Sequence, residues 1–388
     1  MKKIIFCAAL AINSLFSPQT FIQAYADRAN QVSQSSINSS LQQFIGFGVK
    51  TTGSTANNNA LNWLKNTYQN MGYTAAQIQE DPFTFGSFGS SKNLVVTKTG
   101  TLYPNTFVII CGHFDTINGP GANDNGSGTS VILEAARILR DVPTEYSIKF
   151  IHFSGEEQGL LGSTHYVNNV VNATWPKMNI RVVFNLDQVG GVAGANNNSV
   201  YCDVDQSAPA TNNAASQAMA SQLATCTALY SPLQTIFGPA YASDYVPFEN
   251  NGEVITGFYE VNHGNVAHTP NDTFANMDPV YVFNITKAAV GALQHFAIAS
   301  ASLSTNELNS ATNSIEVFPN PATNHFNISY GKENIRNFEV ELLNAEGRIM
   351  LKTKDTNTIS VENFPAGTYI CKITADGETA VRKIIVKK

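Results

Sequence analysis

Two imidazoles and four carboxylates follow one another along this chain in short, distinctive strings. His113 stands in Cys-Gly-His-Phe-Asp at 111–115, and Asp124 in Gly-Ala-Asn-Asp-Asn-Gly-Ser-Gly at 121–128. Glu156 and Glu157 stand in Ser-Gly-Glu-Glu at 154–157, Asp187 in Asn-Leu-Asp at 185–187, and His268 in His-Thr-Pro-Asn-Asp-Thr at 268–273. Imidazole and carboxylate are zinc-ligand types. Two imidazoles and three carboxylates are enough to hold two zinc ions, and one carboxylate is left over to act as a base. Hydrolysis is therefore the expected chemistry.

The individual strings refine this expectation. His113 and Asp115 are two apart, so in an extended segment both project from one face, and the Asp115 carboxylate can accept the second imidazole N–H. Asp124 lies among Gly121, Gly126 and Gly128, in a loop able to turn sharply enough to place one carboxylate on two ions. A phosphate cradle is the competing reading. The chain lacks the accompanying Lys there, and a central Asp would repel phosphate. Glu156 and Glu157 are adjacent and cannot share a role. Buried beside each other they need cations nearby, and three ligand carboxylates with a hydroxide would balance two zinc ions. His263 is the rival to His268 but lacks its turn context. His152, His165 and His295 read as packing or surface residues, and Cys111 as a buried thiol.

These residues must be held by a scaffold, and the hydrophobic pattern supplies one. Residues 36–73 read as helical, with Ile37, Leu41 and Phe44 on one face and Leu61, Leu64 and Tyr68 on another. Strands are expected at 92–99, 105–112, 147–153, 180–186 and 254–259, and helices at 127–139, 162–170, 214–229 and 279–298. This alternation predicts an α/β domain with a mixed, mostly parallel sheet flanked by helices. His113, the Glu156-Glu157 pair and Asp187 each follow an apolar run, so they converge at the carboxyl edge of that sheet. Residues 301–314 have linker composition. From 315 to 388 only short strand patterns occur, at 315–318, 325–330, 338–343, 348–353, 358–361, 367–373 and 379–386, which predicts a small all-β sandwich.

Composition sets outer limits. The chain has 388 residues, 43% hydrophobic and 13% charged, with net charge -6. It can bury a sizeable core and offers no basic patch for nucleic acid. Lys2 and Lys3, the apolar run from Ile4 to Phe16 and the small-x-small string Ala24-Tyr25-Ala26 predict a secretory signal peptide over 1–26, leaving 27–300 for the larger domain. No later stretch is apolar enough to span a bilayer. In an exported chain Cys202 and Cys226 are a candidate disulfide pair.

The ordered set of strings resembles the di-zinc aminopeptidases of metallopeptidase family 28, relatives of the bacterial leucyl aminopeptidases, over about residues 36–300. The resemblance implies a zinc-exopeptidase fold and two Zn2+ ions. His113 and Asp187 would hold one, Glu157 and His268 the other, and Asp124 would bridge. It further implies that Glu156 is the general base for a metal-bridged hydroxide, with Asp115 orienting His113. Thr-Thr-Gly-Ser at 51–54 resembles the family's early loop, with Lys50-Thr51 where an Arg is usual. Gln188 stands where Met is usual after the Asp. Tyr241-Ala242-Ser243-Asp244 resembles the segment that carries an oxyanion-stabilising Tyr, which implies that role for Tyr241. The expected substrates are peptides with a free N-terminus. Val317-Phe318-Pro319-Asn320-Pro321, Gly367-Thr368-Tyr369 and residues 383–388 resemble the type IX secretion sorting domain of Bacteroidetes. That likeness implies export across both membranes to the cell surface or beyond, with the type IX machinery as partner.

Three other readings are weighed against this one. The related carboxypeptidases and deacylases insert a lid domain before the last His, and the 81 positions from Asp187 to His268 leave no space for it. A glutaminyl cyclase uses the same fold with a single zinc, whereas the Gly-Ala-Asn-Asp-Asn-Gly loop favours two. A non-catalytic interaction module on a peptidase fold would be expected to have lost ligands, and none is missing.

Overall fold

The computed structural model describes residues 19–86, 89–301, 315–330, 338–344, 348–375 and 378–388. Two compact units divide at Ser302/Leu303. In chain order the first contains α1 (Gln23–Ala29), α2 (Gln34–Ile45), α3 (Thr55–Asn70), β1 (Ile78–Thr84), β2 (Ser90–Lys98), β3 (Tyr103–His113), α4 (Gly128–Leu139), β4 (Tyr146–Phe153), α5 (Leu161–Tyr166), β5 (Asn179–Leu186), β6 (Ser199–Val204), α6 (Asn213–Tyr230), β7 (Gln234–Pro239), α7 (Val246–Asn250), β8 (Ile255–Glu260) and α8 (Pro279–Phe296).

The eight strands form one sheet in the order β1-β2-β4-β3-β5-β8-β6-β7. Its centre, β4-β3-β5-β8, is parallel, while β1, β2 and β6 pair antiparallel with their inward neighbours. The central strands are covered on both faces, and for that reason they read as unbroken apolar runs. Successive side chains enter different cores, as the strand pleat requires. Val108 and Ile110 of β3, with Ile148 and Phe150 of β4, pack under α2, α3, α4, α6 and α8. Ile109 and Cys111, with Ile151 and Phe153, pack against α5 and the α7 region on the other side.

Local chemistry explains where the expected elements differ from those formed. The single helical stretch 36–73 is two helices, because the intervening loop holds Gly48 and Gly53 at φ 71° and 75° and Ser54 starts α3 afresh by accepting the Asn57 N–H. Polar edge strand β1, together with β6 and the other edge strand β7, lacks the runs that marked the buried strands. Cys202 and Cys226 are both buried, as free thiols.

The expected processing point after Ala26 falls inside α1. Tyr25 is buried against the unit, its hydroxyl donating to the Ala299 carbonyl, and Arg28 donates to Gln294 Oε1 and to the Ser300 carbonyl. The folded unit therefore includes residues that the leader reading removes. Tyr25→Phe leaves the buried Ala299 carbonyl without this donor and is expected to cost about 1–3 kcal/mol, read as a lower denaturation midpoint of the exported protein. An unchanged midpoint places processing beyond Tyr25.

The second unit has β9 (Ile315–Phe318), β10 (His325–Tyr330), β11 (Phe338–Leu343), β12 (Ile349–Lys354), β13 (Thr358–Ser360), β14 (Gly367–Ala375) and β15 (Glu378–Val386). A three-stranded sheet, β13-β10-β9, and a four-stranded sheet, β12-β11-β14-β15, contribute to one core. Phe326 and Ile328 from one sheet meet Val340, Leu342, Cys371 and Ile373 from the other. Alternation along β11, with Phe338, Val340 and Leu342 buried, sets its register. Apart from Ala301, the expected linker lies outside the described residues, as do positions 1–18 of the leader. Among the described residues no helix is long and apolar enough to cross a membrane.

Candidate metal centre

The parallel strands β4, β3, β5 and β8 end at one edge, and all the expected ligands sit there. His113 is the last residue of β3, Asp187 directly follows β5, Glu156 and Glu157 follow β4, and His268 lies in the loop after β8. Asp124 is carried by a tight π-turn, Ala122–Ser127, that leads into α4. Two glycines permit that turn. Gly121 has φ 66°, and a Cβ on Gly128 would stand 2.4 Å from the Leu186 carbonyl oxygen. The glycine at which α4 begins is thus packed onto the strand that delivers Asp187.

Asp124 faces two ways. Its Oδ1 is 3.2 Å from His113 Nε2, which is itself 3.4 Å from Asp187 Oδ1. Its Oδ2 is 3.0 Å from His268 Nε2, which is 2.9 Å from Glu157 Oε2. Atoms bound tetrahedrally to one zinc at 2.0–2.2 Å lie roughly 3.3 Å apart. Each oxygen of Asp124 therefore shares an imidazole with one further carboxylate, Asp187 on one side and Glu157 on the other, and His113, Asp124 and Glu157 bring one donor atom each to within 4.8 Å of one another. Glu157 Oε1 is buried without a hydrogen-bond donor, while Asp124 Oδ2 and Asp187 Oδ1 face only the imidazoles, a costly arrangement unless a cation satisfies these oxygens. Glu156 stands aside from these sets, with Oε2 4.0 Å from His113 Nε2.

The electrostatics of the side chains agree with this. With only the protein's own charges present, burial and surrounding carboxylates push Glu156 up to about 9 and Glu157 up to about 8. Hydrogen bonding to Asp124 outweighs burial and raises His268 to about 9. For His113 burial opposes charge, but Asp187, Glu156 and its bonded carboxylates raise it well above its usual value. Burial would raise Asp124, yet its bonds to the two imidazoles hold it below the ordinary range. Groups shifted in this way favour added positive charge at the cluster.

Other side chains hold the ligands in place. Asp272 accepts the backbone N–H of Asn123 at 2.7 Å and of Asp124 at 3.0 Å. Glu260 receives Asn123 Nδ2 and the Gly191 N–H. Ser243 donates to Asp187 Oδ2 at 2.7 Å while accepting Asn185 Nδ2, leaving Asp187 Oδ1 for a cation. Buried Lys50 donates to the carbonyls of Gly48 and Pro120, tying the early loop to the Asp124 loop. Sequence reasoning saw Asp272 only as part of a turn and missed Ser243 and Glu260 as supports. The one available signal was the short distance in sequence from His268 to Asp272. Asp272→Asn is expected to leave the fold intact and weaken metal binding by about 10–100-fold, measured by competition with a chromogenic chelator.

Two expected roles change. The carbonyl of Asp115, not its carboxylate, lies 3.0 Å from His113 Nδ1; the nearer carboxylate oxygen is 3.8 Å away. The carboxylate is turned toward the next strand end, where it accepts the N–H groups of Glu156 and Glu157 and the Thr52 hydroxyl. Asp115 thus fixes the Glu pair as well as the imidazole, because the chain bends after His113 and the extended-strand alternation ends there. The Tyr241 hydroxyl donates to the Asp187 carbonyl at 3.2 Å and its ring packs on Tyr259. The hydroxyl expected to serve the oxyanion thus faces the Asp187 loop. His263 stacks on Tyr259, His152 bonds the Tyr68 hydroxyl, and neither joins the cluster.

Comparison with known proteins agrees with the geometry. Residues 93–292 match peptidase family M28, and residues 316–387 match the secretion system C-terminal sorting domain. Aminopeptidase YwaD of Bacillus subtilis is 44% identical over 103 residues, which are 26% of this chain and 22% of that protein. A probable zinc metalloprotease of Pyrenophora tritici-repentis is 30% identical over 224 residues, covering 48% of this chain and 49% of that one. The chain therefore spans between about a fifth and a half of the length of these relatives. The solved structure of the LapA aminopeptidase of Legionella pneumophila superposes with a TM-score of 0.64 at 21% identity, over 76% of this chain and 80% of that one, which establishes the fold. The family match takes in a little over half of the 388 residues and every expected ligand position from His113 to His268, so this chain belongs to peptidase family M28.

Proposed function

We propose that this chain is an exported aminopeptidase that uses two zinc ions to remove N-terminal residues from peptides. The observation that carries the reading is the two-sided placement of Asp124 between His113 with Asp187 and His268 with Glu157. His113 and Asp187 would hold one ion, His268 and Glu157 the other, and Asp124 both. The zinc metalloprotease relative supports the metal. Zinc, when bound, supplies Lewis acidity and a water acidified to near-neutral pKa. Glu156, placed beside both sets and outside them, takes the proton of the attacking water and returns it to the leaving amine. Asp115 holds the backbone of Glu156 and so aims that carboxylate. The density of carboxylates at this edge attracts a free peptide ammonium, which favours exopeptidase over endopeptidase action.

The sorting domain supports export through the type IX machinery to the cell surface or outside. Metal analysis and a peptide panel with free and acetylated N-termini test the whole reading. Two zinc ions per chain and release of amino acids only from free N-termini are expected. One zinc per chain, with cyclisation of N-terminal Gln and no released amino acid, would replace it with a glutaminyl cyclase.

A further inference from the structure

The turn that carries Glu156 and Glu157 starts at Ser154, directly after β4, and runs to Gly162 in α5. Its two ends come back together. The Leu161 N–H reaches the Gly155 carbonyl at 2.8 Å, and the Gly159 and Leu160 N–H groups both reach the Glu156 carbonyl. Gly155 permits the reversal with φ 80°. At the neck the chain is too close for a side chain. A Cβ on Gly162 would run into the Ser154 carbonyl oxygen and into Asn93 Oδ1.

Asn93 closes that neck from outside. It lies on β2, opposite Asp81 of β1, and is fully buried. Its Oδ1 accepts the Ser154 N–H at 3.1 Å. Its Nδ2 donates to the Gly162 carbonyl and to Asp81 Oδ2, each at 2.9 Å. A carbonyl and a carboxylate can only accept, so this orientation of the amide is the one that pairs every group. The Ser154 hydroxyl is held separately, by Asn57 of α3 and Ser91 of β2. From the other side the Asp115 carboxylate accepts the N–H groups of Glu156 and Glu157. Among the described residues Asn93 hydrogen-bonds no expected zinc ligand, so it reaches Glu156 only through the backbone of the turn.

We propose that Asn93 is a positioning residue for proton transfer at Glu156: its amide clasps the two ends of the 154–162 turn and so sets where the Glu156 carboxylate stands. The proposal rests on the reading of Glu156 as the base. A general base must stand within hydrogen-bond reach of the proton it takes, and a displacement of about 1 Å costs on the order of a hundredfold in rate. Without the amide the buried Ser154 N–H loses this acceptor, a cost that opening of the neck relieves. The competing account is that Asn93 only ties β2 to its neighbours and contributes to folding alone.

Steady-state kinetics of full-length protein at saturating zinc, with Asn93→Ala made alone and on top of Glu156→Gln, separates the two accounts. Asn93→Ala alone is expected to lower kcat by about 10–100-fold, with KM within about twofold of the parent's. Added to Glu156→Gln, the same change is expected to lower the residual kcat by less than about twofold, because a carboxamide takes no proton wherever it stands. An unchanged kcat in folded Asn93→Ala protein, even with a lower Tm, overturns the proposal. So does a loss in the double variant equal to the loss from Asn93→Ala alone, because Asn93 then acts on something other than Glu156. Full kcat in Glu156→Gln instead removes the base role itself, and this proposal with it. If Asn93→Ala fails to fold, Asn93→Asp decides by the same readings, since it keeps the volume and the acceptor for Ser154 but offers no hydrogen to Gly162.

Discussion

Glu156→Gln yields a folded, zinc-loaded protein whose kcat falls by roughly 10²–10⁴-fold, with KM little changed. The size is that of a positioned general base, and its sign follows from geometry. Glu156 contributes to neither donor set, and its backbone is held by Asp115 whatever the side chain. The amide is isosteric but cannot take a proton. Glu157→Gln is the matching control. Its Oε2 is 2.9 Å from His268 Nε2 in a donor set, so it is expected to lose zinc along with turnover. Steady-state kinetics with metal analysis on both variants checks the assignment. Retained kcat in Glu156→Gln, or equal zinc loss in the two, would remove Glu156 from the base role.

Asp124→Ala removes a donor from both sets at once. Metal content is expected to drop from two ions to less than one per chain, with turnover below detection. Single replacement of Asp187 or His268 should instead leave one site partly filled. The same cluster predicts opposite pH responses in metal-free and metal-loaded protein. His113, His268, Glu156 and Glu157 all bind protons more tightly in the folded chain. For His268 that stability is complete below its unfolded value of about 6.5 and is lost as pH rises through about 9, and His113 acts in the same direction. The carboxyls act in the same direction, because their folded values of about 9 and 8 also exceed the unfolded ones. Asp124 has the opposite sign but is ionised throughout the neutral range. Metal-free protein should therefore lose Tm from about pH 4.5, where the unfolded carboxyls ionise, up to about pH 9. Metal-loaded protein should gain it over that range, because zinc must displace those protons. Parallel Tm-against-pH curves for the two forms would mean that these groups do not share one metal cluster.

Much of the centre was legible along the chain, for a physical reason. Metal ligands must be His, Asp or Glu, and a parallel sheet must deliver them from strand ends, so His113, the Glu pair and Asp187 stand where apolar runs stop. The buried strands β3, β4, β5 and β8 could be read because they are covered on both faces. β1, β6 and β7, with less apolar surface to hide, left weaker marks. The supports were the least visible part. Ser243 and Glu260 are ordinary polar residues until folding places them against Asp187 and Asn123. Asp115 shows the limit most clearly. Its two-residue spacing from His113 implied a carboxylate on the ring, but a bend in the backbone gave that contact to the carbonyl and sent the carboxylate to the Glu pair.

The amino-acid sequence by itself determined the donor types, their order and the strands that end beside them, since these depend on side-chain chemistry and local periodicity. Only the tertiary structure decided which group faces which: that Asp124 lies between His113 and His268, that the Asp115 carboxylate holds the N–H groups of the Glu pair, and that the Tyr241 hydroxyl reaches the Asp187 carbonyl. Such assignments rest on distances of about 3 Å between segments far apart in the chain, and no local pattern encodes them.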